Sequence, residues 1–325
     1  MPADRDSERG AALLTVLLLV SIVGAIAAVT LEKLNLSTRL ASNTAAMNQA
    51  RAYAQAAETM AKVRIDGLLS GDSTRITLQG GWSDKPFPLP VPVGSAAVRV
   101  RDGGNCFNLN SLVTAGDQGV WIVRPSGMQQ FVRLMHQLNL PDAEGIAAAA
   151  ADWIDTDETP FSGGAEDAAY AGRAPGYRVG DTFMADPSEL RAVAGVTPEI
   201  YAKLRPWVCA LPTSDPAKIN VNTLLPEQGA LIAMLLPDTL SANQIRQVLM
   251  ARPTAGWAST NDFWAQPGMK SANPGDAGEQ VAVTTRWFAL TTDVAIGRVS
   301  LRETGLIDAG ETPARLVSRQ WGDAG

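Results

Sequence analysis

The chain has 325 residues, 46% of them hydrophobic and 18% charged, with a formal net charge of −6. That much apolar material supplies a sizeable core, and the length fits about two domains. The negative balance argues against nucleic acid or a polybasic membrane surface as partner, and one histidine with two distant cysteines argues against a usual zinc site.

In chain order, the first element is the strongest. Ala11 to Val29 is nineteen residues without charge or proline, interrupted only by Thr15, Ser21 and Gly24. As a helix it reaches roughly 28 Å, close to the hydrocarbon thickness of a bilayer. No proline follows until well past Leu69, and the composition is Ala, Leu, Gln, Arg, Glu and Met, all strong helix formers. Leu31, Leu34, Ala41, Ala45, Ala56, Met60 and Val63 recur at helical spacing. The pattern predicts one long rod that leaves the membrane and ends near Gly67 and Gly71. Arg5 and Arg9 before the run are balanced by Lys33 and Arg39 after it, so charge does not set the orientation.

Short strand-like runs come next. Thr74 to Leu78 and Ala97 to Arg101 alternate, and Gly80 to Gly94 reads as a loop because of Pro86, Pro88, Pro90 and Pro92. From Cys106 to about Gln266 the periodicity turns helical. Candidate helices are Gln129 to Leu138, Ala143 to Ile154, Pro187 to Val193, Pro198 to Val208, Pro226 to Leu236 and Ser241 to Ala251. Asp186-Pro187 and Thr197-Pro198 place a capping residue before a proline at the first helical position. Met269 to Gln280 reads as a loop. Strands return at Val281 to Leu290 and Val294 to Glu303, with Asp293 at the turn, and the tail beyond Ala309 reads as loosely ordered.

A sheet that stops, a helical block and a sheet that resumes describe an insertion in an α+β domain built on the long helix. Phe107-Asn108-Leu109-Asn110 and Ile219-Asn220-Val221-Asn222 each open a helical lobe. The expected division is a leader (1–10), a membrane-spanning helix (11–70), the first part of the α+β domain (71–105), an inserted helical domain (106–275, lobes 106–210 and 211–275), returning strands (276–310) and a tail (311–325). Cys106 and Cys209 both follow the apolar helix; as an even pair in an exported chain they are expected to form a disulfide enclosing the first lobe.

Arg9-Gly10 followed directly by the apolar run from Ala11 resembles a type IV pilin-like N-terminus. The resemblance implies cleavage by a prepilin peptidase between Gly10 and Ala11, with the helix kept as anchor or filament core. An ordinary signal peptide is the alternative, since Ala25-Ile26-Ala27 fits a small-residue cleavage pattern that would leave Ala28 first. Further motifs narrow the resemblance: Phe107 to Leu112, Asp152 to Asp157, Gly164 to Tyr170, Leu190 to Leu204 with Gly195, and Ile219 to Thr223. Together they resemble the minor pseudopilin K family of type II secretion. The resemblance implies a pilin-like fold, a long N-terminal helix plus a small antiparallel sheet, carrying a large inserted α-helical domain. It also implies a place at the pseudopilus tip beside minor pseudopilins I and J, with minor pseudopilin H and major pseudopilin G beneath. The anchor would lie in the inner membrane and the C-terminal domain in the periplasm. Most pilin-like subunits carry Glu at the fifth residue after the cut; here it is Thr15.

Asp152, Asp155, Asp157, Glu158, Glu166 and Asp167 are six carboxylates in sixteen residues, and no Lys or Arg occurs between Arg133 and Arg173. Hard oxygen ligands in a flexible loop suit Ca²⁺; a solvated acidic loop is the plainer reading. Asp155, Asp157 and Glu166 match places one, three and twelve of an EF-hand loop, but Pro160 stands where that loop needs glycine, so this is not an EF-hand. The family resemblance implies calcium here, with Asp152, Asp155, Asp157, Glu166 and Asp167 as the candidate ligands.

No catalytic set emerges. His136 is the sole histidine, and no Gly-rich phosphate loop follows a strand. Paired carboxylates admit a secreted or anchored calcium-binding hydrolase as a second reading. A membrane-anchored DNA receptor is a third, since Leu190 to Leu204 resembles a helix-hairpin-helix unit, although Glu189, Glu199 and Glu227 oppose it. The expected role is a structural subunit with no active site and no nucleic-acid partner.

Overall fold

The computed structural model describes residues 5–322 apart from 73 and 238, and side chains from residue 10 onwards apart from 118. The start of the expected leader and the end of the tail lie outside the described residues. In chain order the elements are α1 (Arg5–Gly71), β1 (Phe87–Leu89), β2 (Ser95–Asp102), β3 (Phe107–Asn108), β4 (Val113–Ala115), β5 (Trp121–Val123), α2 (Pro125–Gln137), α3 (Ala143–Asp152), α4 (Asp167–Ala171), α5 (Pro198–Leu204), β6 (Val208–Cys209) and β7 (Ile219–Asn220). They continue with α6 (Ala230–Ala233), α7 (Ala242–Met250), α8 (Thr260–Trp264), β8 (Val281–Ala282), β9 (Trp287–Ile296), β10 (Val299–Asp308) and β11 (Arg315–Trp321).

Helix α1 is a single rod of 67 residues. Its N-terminal part is long and apolar enough to cross a membrane and is exposed among the described residues. Its C-terminal part lies on an antiparallel sheet of order β1-β2-β9-β10-β11. The buried face is Ala50, Ala54, Ala57, Ala61 and Ile65, set against Val98, Val100, Phe288, Leu290, Val294 and Ile307. This differs from the expected apolar spacing: Leu31, Leu34, Met60 and Val63 are exposed. The rod has two apolar faces, and the sheet takes the alanine one, because small side chains let a helix approach a sheet closely.

Other differences have local causes. Among the described residues Thr74 to Leu78 forms no strand; Ile76 N–H donates to Val283 O at 2.8 Å, and its O accepts from a side chain instead of a neighbouring strand. The proline-rich loop contains β1, whose Pro88 is tolerated because β1 lies at the sheet edge. Asp293 is not at a turn. It sits inside β9, opposite Arg302 of β10 and Ala97 of β2, and the hairpin bends instead at Gly297, where φ is +58°. The supposed loose tail forms β11, paired along β10. Pro187–Arg191 is a 3-10 turn rather than an α-helix.

The insert leaves the sheet after Asp102 and returns before Trp287. It contains two lobes built alike. In the first, β3 pairs in parallel with β6; in the second, β7 pairs in parallel with β8, beyond the expected boundary at 275. Asn108 Oδ1 accepts from Asn110 N–H, and Asn220 Oδ1 accepts from Asn222 N–H. Asn110 then clamps Met184, donating to its O (3.0 Å) and accepting from its N–H (2.8 Å). Asn222 clamps Trp257 in the same way (2.9 and 2.7 Å). Two residues past each clamped position stands a helix cap, Asp186 or Ser259, and four further on a fully buried Leu190 or Phe263. One continuous core, from Phe107 to Val281, joins the lobes.

The insert is tied to the far end of the rod. Asn220 Nδ2 donates to Ile76 O, just past α1. At the joint, the Asp102 carboxylate accepts from the hydroxyls of Thr223 and Thr285 and from Gly104 N–H. Loss of water at this joint pushes the Asp102 carboxyl above its ordinary range, against the pull of those donors. Cys106 and Cys209 are joined in a disulfide with Cα atoms 5.8 Å apart, closing the first lobe beside Leu211, Ala217 and Trp287.

Candidate functional site

The acidic loop springs from α3, whose run Ala147 to Ala151 is wholly buried and delivers Asp152 into the interior. Asp152 organises the loop. Its carboxylate accepts from Phe161 N–H (3.1 and 3.2 Å to the two oxygens) and from Ala165 N–H (2.7 Å). A Cβ at residue 164 would sit 1.9 Å from Asp152 Oδ2, so Gly164 is what allows this approach. Burial pushes the Asp152 carboxyl up and nearby Asp157 adds to the rise, while the two backbone donors hold it down.

Trp153, Tyr170 and Tyr177 form a ring-on-ring support beneath the loop, with centroids 5.2 to 6.1 Å apart. Tyr170 and Ile154 are fully buried, so the loop is part of the lobe's core. On this base Asp155 and Glu166 are buried, at 2% and 7% exposure, and Asp155 Oδ1 and Glu166 Oε1 have no hydrogen-bond partner among the described residues. Burial, reinforced by repulsion from Asp152, Asp157 and Asp181, pushes Asp155 up to about 7. Burial, with repulsion from Asp152, Asp155, Asp181 and Asp157, takes Glu166 to about 7.

The structure thus brings Asp152, Asp155, Asp157 and Glu166 into one electrostatic neighbourhood. Asp167 is not among the residues that repel Asp155 or Glu166. Its Oδ1 accepts from Val179 N–H at 3.0 Å and its Oδ2 faces Arg178 at 3.6 Å, so it fastens the loop's return. Sequence reasoning missed Asp181, which comes back to the cluster because Gly180 N–H bonds to Trp153 O. Asp181 lies fourteen residues beyond the last acid of the run, with no local signal except the preceding glycine. Among the described residues no three His, Cys, Asp or Glu side chains are arranged as a ready metal cage. What the loop offers is two buried, unpartnered carboxylate oxygens with further carboxylates around them. That donor set fits a hard cation, which would relieve both the lost hydration and the repulsion.

The N-terminal features are simpler. Helix α1 runs unbroken through Gly10 and Ala11, and Thr15 Oγ1 donates to Ala12 O at 2.8 Å, so its hydroxyl is satisfied within its own helix. A separate cleft of about 1010 Å³ lies between the sheet and the first lobe, floored by Thr291, Thr304 and Leu306 and roofed by Pro187 and Trp207.

A long apolar helix laid on a small antiparallel sheet, with a two-lobed helical insert, defines a pilin-like subunit. Two family profiles, both described as Type II secretion system (T2SS), protein K, match residues 105–213 and 219–285. Proteins named Type II secretion system protein K from Klebsiella pneumoniae and Aeromonas hydrophila are 34% and 37% identical over 322 and 283 residues, covering 97% and 85% of both chains. The namesake from Pseudomonas aeruginosa is 32% identical over 99% of this chain and 95% of its own. A chain in the crystal structure of the GspK-GspI-GspJ complex of enterotoxigenic Escherichia coli superposes with a TM-score of 0.75 at 30% identity, over 85% of this chain and 97% of that one. The chain belongs to the type II secretion system protein K family, the minor pseudopilins of that machine. As a pseudopilin it is membrane-anchored, and its apolar N-terminal helix is consistent with that anchor. Family membership supports this reading rather than the secreted hydrolase or the DNA receptor.

Proposed function

We propose that the subunit caps the pseudopilus, with its insert as the tip. The observation that carries this reading is position. Ile76, just beyond the C-terminal end of α1, is bonded to both Asn220 and Val283, so the two-lobed insert stands at the end of the rod remote from the apolar run. With the run in the inner membrane, the insert would project into the periplasm and obstruct stacking of another subunit above it. Thr15 fits the same place, since a terminal subunit has no neighbour above that needs a buried carboxylate for pairing. Pseudopilins I and J would be its neighbours, in keeping with the related chain solved with GspI and GspJ, and H and G would lie beneath. The role is structural, with no catalysis.

Maturation would be by prepilin peptidase at Gly10-Ala11. N-terminal sequencing tests it: a mature start at Ala11 agrees, and a start at Ala28 overturns it. Imaging of assembled filaments labelled on the insert tests the cap, with label expected at one end only; regular label along the shaft overturns it.

The acidic loop is read as a calcium site. Asp155 and Glu166 would be the central ligands, Asp152 and Asp157 would add charge, and Asp181 would close the site from the returning chain. A bound cation would supply neutralising charge and hold the loop against the first lobe. The orphaned Asp155 Oδ1 and Glu166 Oε1 support this reading.

A further inference from the structure

A second group of buried acids lies far from the acidic loop, between the rod and the C-terminal strand. Glu303, in the middle of β10, is completely buried. Neither of its carboxyl oxygens accepts a hydrogen bond from any described residue. Directly opposite on β9 is Thr292, also fully buried, whose hydroxyl has no hydrogen-bond partner among the described residues either. From α1, Glu58 reaches into the same space, its side chain 6% exposed. From β11, Arg319 makes a forked contact to Glu58, Nε to Oε1 at 2.5 Å and Nη2 to Oε2 at 2.8 Å. Arg319 Nε also stands 3.3 Å from Glu303 Oε1, but its single hydrogen is already given to Glu58.

The charge count does not close. Two enclosed carboxylates share one guanidinium; among the described residues Lys62, one turn along α1, adds its charge to Glu58 but not to Glu303. A buried ionised carboxylate without a donor is costly, and a neutral carboxyl that donates to its neighbour removes that cost. We propose that Glu58 and Glu303 share one proton, carried on Glu303 and donated to Glu58, and that this proton seats the C-terminal strand on the long helix in a pH-dependent way.

The electrostatics agree with the geometry. Burial first, then the bond and charge of Glu58, push Glu303 up to about 8, against the opposing pull of Arg319. Burial pushes Glu58 the other way from its net shift; the bonds from Arg319 and Glu303, with the charges of Arg319 and Lys62, outweigh it and leave Glu58 below its ordinary range. The sign follows. Glu303 has an ordinary value of 4.5 and a folded value of about 8. Its contribution is fully present below the first, falls as pH rises between the two, and is lost above the second. Strand β11 is where the loss shows. It is one of the sheet's two edge strands, mostly exposed, with a register break beside Val317, and Arg319 links it to the buried pair.

The test is hydrogen exchange of residues 315–321 in the full chain in detergent, at about pH 6 and about pH 9, corrected for intrinsic base catalysis. Protection of this strand is expected to drop roughly tenfold or more at the higher pH, with the β2–β9 pairing unchanged. Glu303→Gln keeps a donor to Glu58 and cannot ionise, so it is expected to abolish the difference. Equal protection at both pH values in the unaltered chain, or a Glu303→Gln variant that keeps the difference, overturns the proposal. If the variant does not fold, the infrared carbonyl band of isotope-labelled glutamate decides, read in a Glu166→Gln chain so that Glu303 is the one glutamate among the described residues whose carboxyl is raised towards neutrality. Its presence at about pH 6 and loss by about pH 9 supports the shared proton, and its absence at both refutes it.

Discussion

The two lobes of the insert use the same frame, and only one of them carries an acidic loop. Each opens with an Asn-x-Asn strand, and each second asparagine grips one backbone residue, Met184 or Trp257. From the end of α7 to its gripped residue the second lobe has only residues 251–256, whereas from the end of α3 the first has 153–183, with the short α4 inside it. The whole acidic loop occupies that difference. The first lobe is also the one closed by the disulfide; Lys218 and Ala282 occupy the matching places in the second. The frame therefore needs neither charge clusters nor a cross-link to form, and both are additions to the lobe with the longer, charged excursion.

The largest expected effect comes from the cross-link. Its sequence separation is 103. Closing a loop of that size is worth about 4–5 kcal/mol in the chain-entropy picture. Cys106→Ser with Cys209→Ser is expected to lower stability by about that much in urea unfolding, with the loss confined to the first lobe by hydrogen exchange. A loss below about 1 kcal/mol would mean that the first lobe is held by packing alone, as the second is.

The asparagine grips come next. Removing either side chain leaves a buried N–H and a buried C=O unmade, which costs about 1–3 kcal/mol per group. Asn222→Ala strips both bonds from Trp257, and Asn110→Ala strips both from Met184 and one more from Leu211 O. Both variants are expected to lose about 2–4 kcal/mol, Asn110→Ala the more. Stability unchanged in either variant would break the equivalence of the lobes.

The comparison also shows why parts of the molecule were legible and others not. The two Asn-x-Asn stretches are visible because each alternates an apolar residue with Asn just ahead of a helical block, a pattern carried by neighbouring letters. Helix α1 is visible because nothing in it stops a helix. The face it buries was not legible, since Leu and Met attract notice while Ala54, Ala57 and Ala61 form the contact. Strand β11 was missed because its residues are exposed and its support comes from Glu58, 261 positions away in sequence. At the acidic loop, clustering identified Asp152, Asp155, Asp157 and Glu166, but Asp181 arrives by a fold-back that no local pattern encodes.

Calcium sharpens the difference between the lobes. A ligand bound only by the folded state adds about 2.7 kcal/mol at a hundredfold excess over its dissociation constant. Calcium is expected to raise the melting temperature and chelation to lower it, with increased protection confined to 153–183. Asp155→Ala with Glu166→Ala is expected to remove the response. A response that survives in that double variant places the ion elsewhere.

The smallest effect separates a ligand from a fastener within one loop. Asp167 lies in the same acidic run as Glu166, yet it points at Val179 and Arg178 rather than at the buried pair. Asp167→Asn keeps an oxygen to accept from Val179 N–H and gives up only an exposed ion pair. Such pairs are worth about 0–1 kcal/mol, so the melting temperature is expected to move little. The calcium response is expected to survive intact, in contrast to the Asp155 and Glu166 double variant. Loss of the response in Asp167→Asn would show that the ion draws Asp167 away from Val179 and into the site. The loop would then reorganise around its cation instead of presenting a formed cradle to it.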